Sequence, residues 1–330
     1  MENVLHFLGA DLSKKSIDLV CHQIKSHVQI ENASTGFKQL LKWMHQLKID
    51  PSKMVVVMEH TGLYSFCFEE FLHNHGIAYC KVSALEIIRS MGLIRGKSDK
   101  IDAARIAAYG FAKRDKLKPE ARVSKALQRL KLLNTSRELL VRQRTGLKCI
   151  IKELRNVGVP ERDLALQSHI QVNKILDKQI SKLEVEIKNV IHQEESLEKN
   201  YNLLNSIKGV GPVVASTTLI KTQNFSRFEN ARKFACYCGT APFEHTSGTS
   251  IRGKTRVSHL ADKRMKSLLD LAAKSAITSD KELKAFYERR LELGKGKTST
   301  INIVRNKIIY RMFAVIKRQT PFVNDYLKAA

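Results

Sequence analysis

Four acidic residues stand where a hard metal ion could be held: Asp11, Glu59, Asp99 and Asp102. Asp11 closes an apolar run, Val4 to Ala10, and Glu59 closes a β-branched one, Lys53 to Met58. Ends of neighbouring strands in an α/β sheet meet on one edge, where such folds place their sites. Asp99 and Asp102 lie three apart in Ser98-Asp99-Lys100-Ile101-Asp102-Ala103-Ala104-Arg105. That spacing puts both carboxylates on one helical face. Clustered carboxylates repel unless a cation sits among them, and a set of oxygen ligands suits Mg2+ or Mn2+. Two such ions at a phosphodiester activate the attacking oxygen and stabilise the leaving one. Each residue also has a plainer reading. Asp11 can be a turn residue, Glu59 can open a helix capped by Thr61, and Asp99 with Asp102 can serve as a cap and dipole pair.

Two further segments could handle phosphate. In Leu204 to Ala215 the core Ile207-Lys208-Gly209-Val210-Gly211-Pro212 has the form of a helix-hairpin-helix. Gly209 and Gly211 would let the turn approach a phosphate beside Lys208, and Pro212 fits the first turn of the next helix. A tight helix–helix turn without a ligand is the alternative. Farther on, Glu244 to Arg256 reads as a polar loop rich in hydroxyls, with Ser247, Thr249 and Ser250 beside Arg252, Lys254 and Arg256. A hydroxyl there could act as nucleophile if it is activated and nearby cations stabilise the phosphoryl charge. Composition alone favours a plain surface loop.

The elements that must position these residues fall into three segments. Residues 1–118 alternate strand and helix signals: three early strands, a helix with Phe37, Leu40, Leu41 and Met44 on one face, the strand ending at Glu59, a helix over 64–75, and a strand over 77–82. This pattern predicts an α/β domain around a mixed sheet. In residues 119–202 glycine becomes rare and apolar residues recur at helical spacing, so two long helices are expected, broken at Asn156-Val157-Gly158-Val159-Pro160. An antiparallel hairpin or coiled coil, acting as a spacer or dimerisation arm, is the expected form. Residues 203–330 form a mainly α third segment, where 24 Lys and Arg against 9 Asp and Glu leave a net of +15.

The whole chain has 330 residues and a net charge of +25. A chain this basic faces a polyanion, above all nucleic acid, with the third segment carrying most of the backbone contact. No apolar run is long enough to span a membrane, and no signal peptide is evident, so a cytoplasmic protein is expected. The six cysteines (Cys21, Cys67, Cys80, Cys149, Cys236, Cys238) fit no CxxC pair and read as reduced, mostly buried thiols. Cys236 and Cys238 would share a face only if that stretch were a strand.

Taken together, the motifs resemble the DEDD insertion-sequence transposases related to the Piv DNA invertase, a family that includes bridge-RNA-guided recombinases. The marks are Gly9-Ala10-Asp11, Glu59-His60-Thr61-Gly62-Leu63-Tyr64, Lys97-Ser98-Asp99-Lys100-Ile101-Asp102-Ala103, Gly209-Val210-Gly211 and Ser247-Gly248-Thr249-Ser250-Ile251-Arg252-Gly253, in that order along nearly the whole chain. The resemblance implies a RuvC-like (RNase H-like) N-terminal domain, a coiled-coil segment and a serine-bearing transposase domain. It implies that Asp11, Glu59, Asp99 and Asp102 bind the metal and that Ser247 attacks DNA to form a phosphoserine link. It further implies a homodimer or homotetramer in which acidic and serine domains of different protomers combine, and for some members a noncoding guide RNA. The expected setting is a bacterial cytoplasm, with the protein on the nucleoid when bound to DNA. Ser98, His60 and Thr249 replace the more common Thr, Ala and Ser. Three other readings stay open: a DNA invertase on fixed sites, a RuvC-like nuclease on branched DNA with water as nucleophile, and a non-enzymatic nucleic-acid-binding or architectural protein.

Overall fold

The computed structural model describes residues 4–60, 62, 64–90, 92, 96, 98–121, 123–247 and 251–323. They form two compact units, divided between residues 122 and 123.

The first unit is built on a five-stranded sheet. Its elements are β1 (His6–Leu12), β2 (Ser16–Cys21), β3 (His27–Glu31), α1 (Ser34–Gln46), a 3-10 turn at Pro51–Lys53, β4 (Met54–Glu59), α2 (Phe66–Asn74), β5 (Ala78–Val82), α3 (Ala84–Ser90) and α4 (Asp99–Ala112). The strand order is β3-β2-β1-β4-β5. The first three strands form an antiparallel meander, and β1, β4 and β5 run parallel, which makes the sheet mixed as expected. β1 and β4 are nearly all apolar because both faces are covered, the condition that erases polar alternation in a strand. Leu8, Ala10, Val56 and Met58 pack on one face with Phe37, Leu40, Met44 and Phe68 from α1 and α2. Phe7, Val55 and Val57 pack on the other with Ile106 and Tyr109 of α4 and Ile87 of α3. Each such side chain contributes about 1.5–3 kcal/mol when fully buried.

The second unit holds α5 (Lys125–Asn156), α6 (Leu164–His192), α7 (Glu195–Asn205), α8 (Pro212–Thr222), α9 (Ala231–Tyr237), β6 (Pro242–Ser247), β7 (Ile251–Val257), α10 (Lys263–Ser279), α11 (Lys281–Glu292) and α12 (Lys297–Arg318). Ser124 caps α5 by accepting from the Leu127 amide, and its hydroxyl donates to Glu194, tying the start of α5 to the start of α7. α5 and α6 run antiparallel, as the cross-pairs Arg137–Glu184 and Arg144–Asp177 require, and break at residues 157–163. Their proximal ends (Leu127, Leu130, Leu133, Ile187, Ile191) share one core with α7, α8, α9, α10 and α12, while the distal half projects from it. Among the described residues no helix is long and apolar enough to cross a membrane.

Two expectations change. Where a polar loop is expected over 244–256, the described residues 242–247 and 251–257 are paired antiparallel strands, β6 and β7, with a register shift between Phe243 and His245. Thr, Ile, Phe and Val at these positions favour strand once two segments can pair. The cysteines are also less uniformly buried than expected: Cys21, Cys80 and Cys238 are buried, but Cys67 and Cys149 are exposed. Cys236 lies in α9 and Cys238 caps it, so the two do not share a strand face.

Candidate functional site

The sheet edge collects the first two carboxylates. The parallel register pairs Ala10 with Met58, so Asp11 and Glu59 follow as the next residues on adjacent strands. Both belong to the alternating set that faces α4, with Phe7, Gly9, Val55 and Val57. The helix arrives by an unusually close contact. A Cβ built on Gly9 would lie 2.1 Å from the Ala103 carbonyl oxygen and 2.2 Å from the Ala107 amide nitrogen. Only a residue without a side chain lets the α4 backbone rest on β1 there. Ala103 directly follows Asp102, so this contact fixes the first turn of α4 beside the end of β1. Ser98 caps that turn by accepting from the Ile101 amide at 3.3 Å. Asp99 and Asp102 then occupy the positive end of the helix dipole.

Burial, then Asp99, Asp102, Glu59 and Asp18, push the Asp11 carboxyl up to about 6. Burial and then Asp102 raise Glu59 as well. A carboxylate that feels four others this way is the condition under which a cation is favoured, and an all-oxygen set suits a hard divalent ion. Arg105 donates to Asp102 Oδ1 at 2.8 Å and offsets part of the charge. Among the described residues no group of three or more Asp, Glu, His or Cys side chains stands close enough together to hold a metal ion.

Asp18, which sequence reasoning passed over, is paired directly with Asp11 across β1 and β2 and is almost fully buried. His27 Nε2 and Gln29 Nε2 hold its two oxygens at 2.7 and 3.0 Å. The available signal was an acid inside the otherwise apolar strand Ser-Ile-Asp-Leu-Val-Cys. Thr61, Leu63 and Lys97 lie outside the described residues.

The second unit carries the other expected groups. Ile207 and Val210 are buried and pin the turn between α7 and α8, leaving Lys208 exposed. Gly209 adopts φ +89°, and a Cβ there would strike the Ala272 carbonyl oxygen at 2.4 Å, so its lack of a side chain is explained by packing against α10. Gly211 differs: nothing lies within 4 Å of its would-be Cβ, and it precedes Pro212 at the N-terminus of α8. Ser247 is the last residue of β6, opposite Ile251. Arg252, Lys254 and Arg256 fall at alternate positions of β7, and Arg256 is exposed. Gly248, Thr249 and Ser250 lie outside the described residues.

Both ends of this hairpin are anchored by polar contacts not foreseen from sequence. Before β6, the Thr240 carbonyl accepts from Asn302 Nδ2 (2.8 Å) and Asn306 Nδ2 (3.0 Å) of α12. After β7, Asp262 caps α10 through the Met265 amide, accepts from Tyr237 and pairs with Lys221 at 2.8 Å. Burial works against both charges of that pair, yet mutual attraction outweighs it, holding Lys221 above and Asp262 below their ordinary ranges. Asp262→Ala removes a cap and strands a half-buried ammonium, so urea denaturation is expected to show a loss of about 2–4 kcal/mol. Because the folded carboxyl is the more acidic, this stabilisation is present at neutral pH and fades as pH falls below the ordinary carboxylate range.

Known proteins resemble the chain along both units. The model of the Transposase IS116/IS110/IS902 family matches residues 201–288, and a DEDD-type IS110 transposase model matches residues 8–156. The pilin gene-inverting proteins of Moraxella bovis and Moraxella lacunata are each 26% identical over 96% of this chain and 97% of their own length. An uncharacterized 43.6 kDa protein of insertion element IS110 from Streptomyces coelicolor is 28% identical over 36% of this chain and 29% of its own.

Proposed function

Because this chain belongs to the IS116/IS110/IS902 family of transposases, enzymes that cleave and rejoin DNA, we propose that it works through a carboxylate metal site and a nucleophilic serine. The observation that carries this reading is geometric: Asp11 and Glu59 end adjacent parallel strands, and the close contact of α4 with Gly9 seats the helix whose first turn bears Asp99 and Asp102. The strand order and polarity of the first unit support an RNase H-like, RuvC-like assignment. Asp11, Glu59, Asp99 and Asp102 would hold Mg2+ or Mn2+. When bound, the ion activates an attacking oxygen and offsets charge on the leaving one.

The chain's own residues divide the remaining work. Arg105 restrains Asp102, and Gly9 keeps α4 against β1, so the carboxylates stay on one edge. Ser247 gives its hydroxyl proton to solvent, its oxygen bonds to phosphorus as the scissile P–O bond breaks, and the departing deoxyribose oxygen takes up a proton from solvent. The resulting phosphoserine ester retains the bond energy needed for rejoining. Arg252, Lys254 and Arg256 on β7 neutralise phosphoryl charge. Lys208 and the open N-terminus of α8 at Gly211 receive backbone phosphate, the helix-hairpin-helix role, while Gly209 shapes the turn. In this reading the carboxylates and Ser247 of different protomers make one site, with the coiled coil of α5 and α6 joining them into a dimer or tetramer.

Trapping under denaturing conditions tests the serine. A covalent protein–DNA adduct is expected with wild type and Ser250→Ala and should be missing in Ser247→Ala. Normal nicking by Ser247→Ala would mean that water is the nucleophile, as in a RuvC-like nuclease. Target choice has two readings. A noncoding guide RNA follows from the family resemblance, whereas inversion at fixed sites is favoured by the full-length likeness to pilin gene-inverting proteins. RNA that co-purifies with the protein and is required for activity decides for the guide.

A further inference from the structure

The distal half of the helical hairpin has a feature that none of these roles uses. Near the core, opposite charges link the helices: Arg137 with Glu184 at 2.6 Å and Arg144 with Asp177 at 2.9 Å. Beyond Arg144 the pattern reverses. Lys148, Lys152 and Arg155 of α5 and Lys174 of α6 line one cleft of about 390 Å³ over a floor that includes Ile151 and Ile170. Arg155 is held by Glu161 at 2.6 Å, but among the described residues no carboxylate pairs with Lys148, Lys152 or Lys174. All three lysines are exposed. Asn173 also lines the cleft, and its Oδ1 is buried without a partner.

Nothing in the fold's stability calls for this arrangement. Cations gathered around one cleft repel one another, and glutamine would serve the helix equally well. α5 as a whole carries nine Lys and Arg against two Asp and Glu. Lys152 stands about 28 Å along α5 from Leu133, where that helix leaves the main core. The site is therefore remote from the core of its unit. Duplex DNA carries a charge every ~1.7 Å of axis, so cations a helical turn apart on facing helices can each neutralise a phosphate.

We propose that this cleft is a docking site for the backbone of duplex DNA, which makes the hairpin an arm that grips DNA as well as a spacer. The proposal rests on DNA being the family's substrate, not on the carboxylate or serine assignments.

The test uses the full chain and a fluorescent random-sequence DNA duplex titrated across a range of salt concentrations. Lys148→Gln/Lys152→Gln/Lys174→Gln should flatten the slope of log K against log salt by about 2–3 and weaken binding roughly tenfold or more at physiological salt. The matching Lys→Arg triple should restore both. Lys178→Gln/Lys182→Gln/Lys188→Gln, which removes equal charge from α6 outside the cleft, should change the slope by clearly less. An unchanged slope in the first triple, or an equal loss in the second, overturns the proposal. Loss of binding to a structured RNA with duplex binding intact also overturns it, because the occupant is then RNA. Thermal melting shows whether the triple is folded. If it melts early, single Lys→Gln variants, each expected to flatten the slope by about 0.9, take its place.

Discussion

Asp11→Asn is expected to abolish DNA cleavage while making the metal-free protein more stable above pH 6. Both effects come from the partly buried, acid-lined setting of this one carboxyl. In the folded chain burial and the neighbouring acids hold the Asp11 carboxyl at about 6, against 3.8 for an unperturbed one. Between those values the folded state binds the proton that the unfolded state has already lost. Stability therefore falls as pH rises from about 4 to about 6, and the full penalty persists at higher pH. Because the group is only half-buried, solvent screening limits that penalty to about 1–2 kcal/mol. Asparagine cannot ionise, so urea midpoints of variant and wild type should converge near pH 4 and separate by pH 8 in EDTA. Mg2+ should then stabilise the wild type by mass action and the variant much less. Cleavage should fall by about a thousandfold or more, since a lost ligand removes several kcal/mol of charge stabilisation. Near-normal cleavage by Asp11→Asn would remove the carboxylates from the mechanism.

How far the site could be read from sequence depended on whether its determinants were local. Asp11 and Glu59 each end an apolar run, and strand ends in a parallel pair must meet, so their placement follows from short-range pattern. The i, i+3 spacing of Asp99 and Asp102 is equally local. Asp18 was hidden because its neighbour Asp11 is brought to it by antiparallel pairing, which sets register between segments. Strand formation over 242–247 and 251–257 likewise depends on pairing, since Thr, Ser and Gly alone read as loop. The polar anchors from α12 span more than sixty positions and leave no periodic trace. Lys148, Lys152 and Lys174 could each be placed on a helix, but only the antiparallel hairpin puts the last beside the first two.

Gly9→Ala should inactivate the enzyme with every carboxylate still in place. The added methyl would meet backbone atoms of Ala103 and Ala107 near 2.1 Å, and backbone cannot turn aside as a side chain can. α4 must move away from β1, at a cost of about 1–3 kcal/mol in overpacking. Because the first turn of α4 carries Asp99 and Asp102, that movement withdraws them from Asp11 and Glu59. A displacement near 1 Å at a reacting centre costs roughly a hundredfold in rate. Gly211→Ala is the counterpart, because its Cβ has open space and φ is −96°. It should leave melting and carboxylate chemistry unchanged and weaken DNA binding alone. General damage to the fold and loss of the carboxylate cluster are told apart by the pH dependence of stability. If Asp99 and Asp102 have withdrawn, less repulsion acts on Asp11, and the fall in stability between pH 4 and 6 should shrink in Gly9→Ala. A variant that loses activity yet keeps the full wild-type pH dependence would show that the helix had not moved, and that Gly9 acts by some means other than seating α4.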